Sequence, residues 1–245
     1  MTMRKPLVAL IVLLAGVPLA GADSKLTILH HSDAAMVMGQ PQPAQDSTQV
    51  MWIGTDRVAL VSPEQTLLVA PSRFTIVDHG RKTYTVIDAP VDFEKLLGPE
   101  VGPAMSRVFA AMKITAKVTP TGESRKIGQW NCRRYVVEIG TAVGGGTRMD
   151  VWASKDVPVD PTLFLKLLEA QFGLQPGMAA ALAEMKKIEG FHVLTETTTT
   201  MMGSDMKSRQ ELVSAEQATP PPGTYDVPAG YEQVAFDPLH SSDPS

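Results

Sequence analysis

The chain has 245 residues and a formal charge of −4, with 22 lysines and arginines against 26 aspartates and glutamates. Binding to nucleic-acid phosphates needs a basic surface, so we expect no nucleic-acid partner. The single cysteine, Cys132, excludes a framework of disulfides within the chain. Stability must therefore come from buried apolar surface, for which a chain of this length is sufficient.

The first 22 residues have the pattern of a secretory signal peptide. Arg4 and Lys5 precede an apolar run, and Ala20, Gly21 and Ala22 form a small-residue cleavage site. We expect cleavage after Ala22 and a periplasmic or secreted protein. We expect no stable membrane span, because the apolar run is short and no second one follows. Loss of Arg4 and Lys5 leaves 20 basic against 26 acidic side chains, a formal charge of −6.

Further along the chain, apolar residues recur at every second position in many short segments. Such alternation is typical of strands with one buried face. Segments rich in glycine and polar residues separate these strands at spacings that suit hairpins. The pattern predicts an antiparallel sheet of roughly nine to eleven strands, large enough to curl. The alternating positions are Leu26, Ile28 and His30; Val58 and Leu60; Phe74 and Ile76; Ile114, Ala116 and Val118; Met149, Val151 and Ala153; and Phe191, Val193 and Thr195.

Two segments have helical spacing instead. Between residues 91 and 113, Val101, Met105 and Phe109 fall on one apolar stripe of a helix. Between residues 161 and 188, two apolar runs are separated by a turn of glycine and proline, which predicts a pair of helices. The first of this pair has more leucines than one narrow stripe requires. We expect all these helices to lie across one face of the sheet.

These elements predict a single domain over residues 23–236. Its fold class is α+β, with a strongly curved antiparallel β-sheet, an incomplete barrel, and helices covering one face. Residues 219–231 contain several prolines and predict an extended segment. Residues 237–245 are polar and predict a disordered tail.

Three stretches taken together resemble a known family. They are VTPTGESRKIGQWNCRRYVV (118–137), MDVWASKDV (149–157) and TYDVPAGY (224–231). Their order and spacing resemble those of the exported bacterial proteins grouped as domain of unknown function 4412. The resemblance implies a layout similar to the periplasmic outer-membrane lipoprotein carrier (LolA-like) fold, an incomplete barrel with a helix-covered concave face. By analogy of fold it also implies the handling of lipid or lipoprotein. The helical insertion at 161–188 departs from the family pattern.

Cys132 is the first candidate for chemistry. The adjacent Arg133 and Arg134 provide the electropositive setting that lowers the pKa of reactive thiols. No histidine lies near it in sequence, however, and free cysteine is among the most buried residue types. We therefore interpret Cys132 as a packing residue, on the same strand face as Trp130 and Val136.

Metal binding and catalysis have weaker signals. His30 and His31 precede Asp33, but neighbours on a strand face opposite sides and do not bind one ion locally. The chain is rich in methionine, for example Met36 and Met201, and the methionine thioether is a ligand type that soft copper prefers. Methionine is nevertheless more often an adaptable core residue. The sequence has no GxSxG or HExxH motif and no convincing carboxylate pair. We expect no metal, no cofactor and no enzymatic activity.

The helices have more apolar positions than one sheet face needs. We therefore expect non-catalytic binding of an apolar ligand, a lipid or the acyl chain of a lipoprotein, under the helices. The alternative is a protein-interaction or structural module with a filled core and no small ligand. A cavity of roughly a few hundred cubic ångströms favours the first hypothesis. Ligand identity and oligomeric state stay open. The predicted ligand-binding residues are Val101, Met105, Phe109, Leu163, Phe164, Leu167, Met178, Leu182 and Met185.

Overall fold

The predicted signal peptide (1–22) and the predicted tail (237–245) lie outside the residues that the structure describes. The computed structural model describes residues 23–37, 40–89, 91–112, 114–142, 144–173, 178–201 and 204–236.

In those ranges the chain forms fourteen strands and three helices. The helices are α1 (Phe93–Met112), α2 (Pro161–Gly173) and α3 (Ala179–Met185). The strands are β1 (Asp23–Ser32), β2 (Ala35–Val37), β3 (Gln40–Gln42), β4 (Gln45–Ile53), β5 (Val58–Val61), β6 (Gln65–Ala70), β7 (Arg73–Asp78), β8 (Thr83–Asp88), β9 (Thr115–Ile127), β10 (Trp130–Gly140), β11 (Gly146–Ser154), β12 (Phe191–Met201), β13 (Ser204–Ala218) and β14 (Glu232–Gln233).

Twelve of these strands form one curved sheet that does not close on itself, in the order β14-β8-β7-β6-β5-β4-β1-β13-β12-β11-β10-β9. The predicted large, curled sheet is confirmed, but the predicted number of strands was too low. The short β3 and β14 are exposed and have no apolar alternation, so the sequence pattern did not indicate them. The prediction of antiparallel pairing holds except at the edge, where β14 pairs with β8 in parallel.

The first strand lies in the middle of this sheet. On one side β1 pairs with β4, and on the other it pairs with β13. Leu26 lies opposite Met51 of β4 and Ala215 of β13, and its side chain is fully buried. The strand therefore joins two meanders, β4 to β8 and β9 to β13, into one sheet.

Two clusters of buried side chains form the core. The first contains Leu26, Trp152 and the α2 residue Leu167, together with residues from both meanders. The second contains Val151 and Met185 with residues of β9 and β10. Neighbouring side chains on a strand point to opposite faces, so the burial of both Val151 and Trp152 means that β11 has apolar cover on both faces.

Helix α1 has a break near its start. Gly98 has a φ of 77°, a left-handed conformation that glycine adopts without steric cost, and Pro99 follows it. Beyond the break, Val101 and Val108 are 49% and 53% exposed. The expectation that α1 covers the sheet with its apolar stripe is therefore not confirmed at these positions. The side chains of Met105 and Phe109 lie outside what the structure describes.

The segment after β13 runs back across the sheet, and we call residues 219–233 the C-terminal strap. The hydroxyl of Tyr225 donates a 2.5 Å hydrogen bond to Oδ2 of Asp23. The hydroxyl of Tyr231 lies 3.1 Å from Nδ1 of His79, whose Nε2 lies 2.8 Å from Oγ1 of Thr66. Both tyrosines belong to the TYDVPAGY stretch noted in the sequence, which therefore holds the C-terminal strap on the sheet.

The central position of β1 generates a testable prediction. Replacing Leu26 by alanine should lower the free energy of unfolding by about 2–5 kcal/mol, the usual cost of truncating a buried leucine. Leu29→Ala in the same strand is the control, because that side chain is 45% exposed, and its cost should stay within about 0.5 kcal/mol. Urea unfolding followed by circular dichroism measures both. Equal costs for the two variants would contradict the central placement of β1.

Candidate ligand-binding cleft

A cleft of about 410 Å³ lies where the two core clusters meet. Phe164 and Leu168 of the first cluster form part of its wall, and Met185 and Ile188 of the second form another part. Its volume falls within the usual range of roughly 300–1,000 Å³ for small-molecule sites. The wall is mostly apolar, so the cleft suits an apolar ligand or part of one.

Helix α2 supplies one side of the cleft. Phe164 and Leu168 are four residues apart and therefore lie on one face of the helix, next to Leu165 at the cleft wall. Leu163 and Leu167 form an adjacent row that is buried in the first core cluster. The wide apolar surface of α2 thus has two uses, since one row of side chains fills the core and the other borders the cleft.

The opposite wall depends on a glycine. Gly190 has a φ of 100°, and a Cβ at this position would lie 2.4 Å from the carbonyl oxygen of Ser154. Only glycine permits this close approach, which brings the start of β12 beside the end of β11. Phe191 then pairs with Ser154, and its ring centroid lies 4.6 Å from that of Phe164. The backbone at Gly190 therefore fixes the position of β12 beside β11 at this wall of the cleft.

His192 is the polar exception in this wall. Its ring meets Phe164 edge-on, with centroids 5.1 Å apart. The residue as a whole keeps some solvent contact, but its Nε2 atom is buried and has no hydrogen-bond partner among the described residues. Burial lowers the pKa of His192 to about 4, so the imidazole is neutral at neutral pH. The cleft thus contains one uncharged hydrogen-bonding group without a partner.

Charged side chains border the cleft, and they are paired. Nζ of Lys155 lies 2.7 Å from Oε2 of Glu189, and Nζ of Lys186 lies 2.7 Å from Oε1 of Glu169. The hydrogen bond from Lys155 is the main cause that lowers the pKa of the Glu189 carboxyl, so this carboxylate is ionised at neutral pH. The rim therefore carries opposite charges in pairs, and the apolar interior faces no uncompensated charge from them.

The predicted ligand-binding residues lie in different environments. Phe164 and Met185 line the cleft. Leu163 and Leu167 are buried in the core, Leu182 packs partly buried against it, and Met178 is partly buried. Val101 is exposed, and the side chains of Met105 and Phe109 are not among those described. The structure therefore places two of the nine predicted residues at the cleft wall.

Sequence reasoning missed much of the wall, namely Val157, Val159, Leu165, Leu168, Ile188, Phe191 and His192. One local signal was present for the last of these. A histidine directly after Gly190 and Phe191, within an otherwise apolar strand start, is unusual enough to indicate a special position. The remaining residues come from segments whose meeting in space has no signature in the sequence.

Cys132 lies in the first core cluster and is 1% exposed. Burial is the main cause that raises the pKa of its thiol, which donates a weak hydrogen bond to the carbonyl oxygen of Trp130 at 3.7 Å. The expected shared face with Val136 agrees with the pairing of β10 with β11, which runs without interruption from Arg133 to Gly140. The pairing of β10 with β9 shifts between Arg133 and Tyr135, but the extra residues of this bulge lie in β9.

Arg134, next to the bulge, does not act on the thiol. Its guanidinium group binds Oδ1 of Asp150 at 2.5 Å and Oε1 of Glu123 at 2.7 Å. The raised pKa and the paired arginine both favour a protonated, unreactive Cys132 at neutral pH.

The histidines near the start of the chain lie apart from the cleft. Nδ1 of His31 is 2.7 Å from Asp46 and Nε2 is 3.1 Å from Asp33, and the hydrogen bond with Asp46 is the main cause that raises the pKa of this imidazole. His30 differs, because burial lowers its pKa. Among the described residues, no group of three or more potential metal-binding side chains comes together. In the same part of the chain, no helix is both long and apolar enough to cross a membrane.

The environment of Cys132 predicts the behaviour of its thiol. In the native protein Ellman's reagent should label it far more slowly at neutral pH than in urea-unfolded protein, because it is buried and protonated. Cys132→Ser should lower the free energy of unfolding by about 1 kcal/mol, since it places a hydroxyl in an apolar site. Rapid labelling of the folded protein would contradict the packing role.

Comparison with solved structures finds a domain from Vibrio parahaemolyticus described as an outer membrane lipoprotein-sorting protein domain. The two share 10% identity with a TM-score of 0.29, over 80% of this chain and 86% of the other. A likeness this low carries no argument about function. No curated protein matches the chain. A family model, domain of unknown function (DUF4412), matches residues 66–231, so the resemblance seen in the sequence is confirmed and the chain belongs to the DUF4412 family.

Proposed function

We propose that this protein is a non-catalytic binding protein of the periplasm for an apolar ligand, either a lipid or the acyl chain of a lipoprotein. The observation that carries the proposal is the cleft of about 410 Å³ between the two core clusters, lined mostly by apolar side chains. A mostly apolar pocket of this volume with a few polar groups at its wall is the default candidate for a ligand-binding site.

The free energy of binding would come from burial of the ligand. Each methylene group removed from water contributes about 0.8 kcal/mol, so several methylenes offset the entropy that association costs. The aromatic rings of Phe164 and Phe191 offer broad apolar contact for such a chain. Helix α2 and the turn after α3 border the cleft, so we further propose that this helical pair, rather than α1, covers the ligand.

The side chains at the cleft support a role without catalysis. Oγ of Ser154 accepts a hydrogen bond from the backbone N–H of Asp156 at 3.1 Å, and no hydrogen bond joins this hydroxyl to Nε2 of His192. A serine nucleophile needs such a contact with its base. The other charged groups at the wall are the ion-paired Lys155, Lys186 and Glu189, so the described wall of the cleft offers no pair of nucleophile and base.

The proposed location rests on the start of the sequence. Its two basic residues, apolar run and small-residue site are typical of exported proteins. In the periplasm, a protein that buries an acyl chain would keep that chain from contact with water. Its partners would be lipids or lipoproteins, with release to a competing acceptor.

Blocking the cleft tests this function. Leu165→Trp should reduce binding of N-phenyl-1-naphthylamine, a neutral apolar fluorescent probe, at least tenfold, because a partly buried leucine at the wall is replaced by a larger ring. Stability should change little, since space is present at this position. Leu167→Trp, one row away in the filled core, should instead cost about 1–3 kcal/mol through overpacking.

The control is Leu29→Trp, which adds the same ring at an exposed position of β1 and should leave binding unchanged. Native mass spectrometry of protein purified from a periplasm should also reveal co-purified lipid. If the folded wild-type protein neither carries lipid nor binds the probe, the alternative is favoured, an interaction or structural module without a small ligand.

A further inference from the structure

Every other polar atom that is buried in a described side chain has a hydrogen-bond partner, and Nε2 of His192 alone has none. Proteins pair nearly all such atoms, so an exception calls for an explanation. This one belongs to a residue of the cleft wall, beside the apolar rings of Phe164 and Phe191. Because the residue lies at the wall, a group that enters the cleft is a candidate for the missing partner.

The chemistry of the site limits what that partner is. The imidazole is neutral at neutral pH, so it offers a hydrogen bond but no positive charge. The nearest cations at the rim, Lys155 and Lys186, already have carboxylate partners. A carboxylate or phosphate carried into this cleft would therefore lose its water without meeting an unpaired cation. An uncharged hydrogen-bonding group loses much less hydration free energy when it enters the cleft.

We propose that His192 is a specificity-determining residue that binds the single uncharged hydrogen-bonding group of an amphiphilic ligand, a hydroxyl in the first instance. The inference rests on the proposed function and deepens it by naming the ligand class as neutral long-chain alcohols and hydroxyl-bearing acyl lipids. A hydroxyl both donates and accepts, so it fits Nε2 in either tautomer of the ring.

The contact requires a small adjustment of the wall. Nε2 reaches no solvent in this structure, so a ligand hydroxyl meets it after a rotation of the imidazole about χ2. The χ2 torsion of histidine has a broad minimum, so this rotation has a low energetic cost. Phe164 lies edge-on to the ring, and the His192 backbone pairs with Ala153 of β11. The backbone therefore stays fixed while the side chain turns.

The test compares matched ligands on matched variants. Dodecanol, dodecane and dodecanoate are each tested as competitors of N-phenyl-1-naphthylamine for the full-length protein at pH 8. The inhibition constant of each competitor is measured. His192→Phe keeps the size of the ring and removes its polar atoms. Dodecanol should bind this variant about five- to tenfold more weakly than it binds wild type, the loss expected for one hydrogen bond, while dodecane should bind both equally. His192→Gln, which keeps a polar end group, should restore part of the preference.

The outcomes separate this inference from the function beneath it. If wild type binds none of the ligands, the binding function fails and the inference fails with it. If dodecanol and dodecane bind and His192→Phe changes neither or both alike, the cleft stands and the role of His192 is wrong. If dodecanoate binds wild type more tightly than dodecanol, the neutral ligand class is wrong. Thermal unfolding of His192→Phe should occur at or above the wild-type temperature, because an unpaired buried group has been removed.

Discussion

The fold depends on the pairing of one strand with two distant parts of the chain. Strand β1 is hydrogen-bonded to β4 on one side and to β13 on the other, a partner about 190 positions away in sequence, as in the ion pair of Lys25 with Glu216. Because Leu26 lies in the core on this strand, the two meanders share one interior. The cleft lies in the β9–β13 half of that shared sheet, because its wall comes from β11, β12 and the segment between them.

Within this frame, the cleft arises from an incomplete match between helix and sheet. Leu163, Phe164, Leu167 and Leu168 all belong to the first core cluster, but only Phe164 and Leu168 also line the cleft. Gly190 allows the start of β12 to lie close against the end of β11 at this wall. The space is therefore bounded by backbone geometry as well as by side-chain size, which suits a site that must stay open without its ligand.

The sequence predicted the elements better than their meeting points. Period-two alternation located the strands around Leu26, Phe74 and Phe191, and helical spacing located all three helices, because both signals are local. The bulge in β9, opposite Arg133 and Tyr135, was not predictable in the same way, since it depends on how β9 pairs with β10. The sequence also did not show that Leu167 lies in the core and Leu165 at the cleft. Both residues are apolar, so only the tertiary packing distinguishes them.

The C-terminal strap has a consequence for the edge of the sheet. Strand β14 pairs with β8, and the backbone N–H groups of Glu232 and Val234 donate to the carbonyls of Lys82 and Tyr84. Without this cover β8 would present a free row of backbone donors and acceptors, the kind of edge on which other chains assemble. The tyrosines at 225 and 231 hold the strap in place. A chain cut short before them would thus fail first through self-association, as monomers add to one another along β8, before its core was lost.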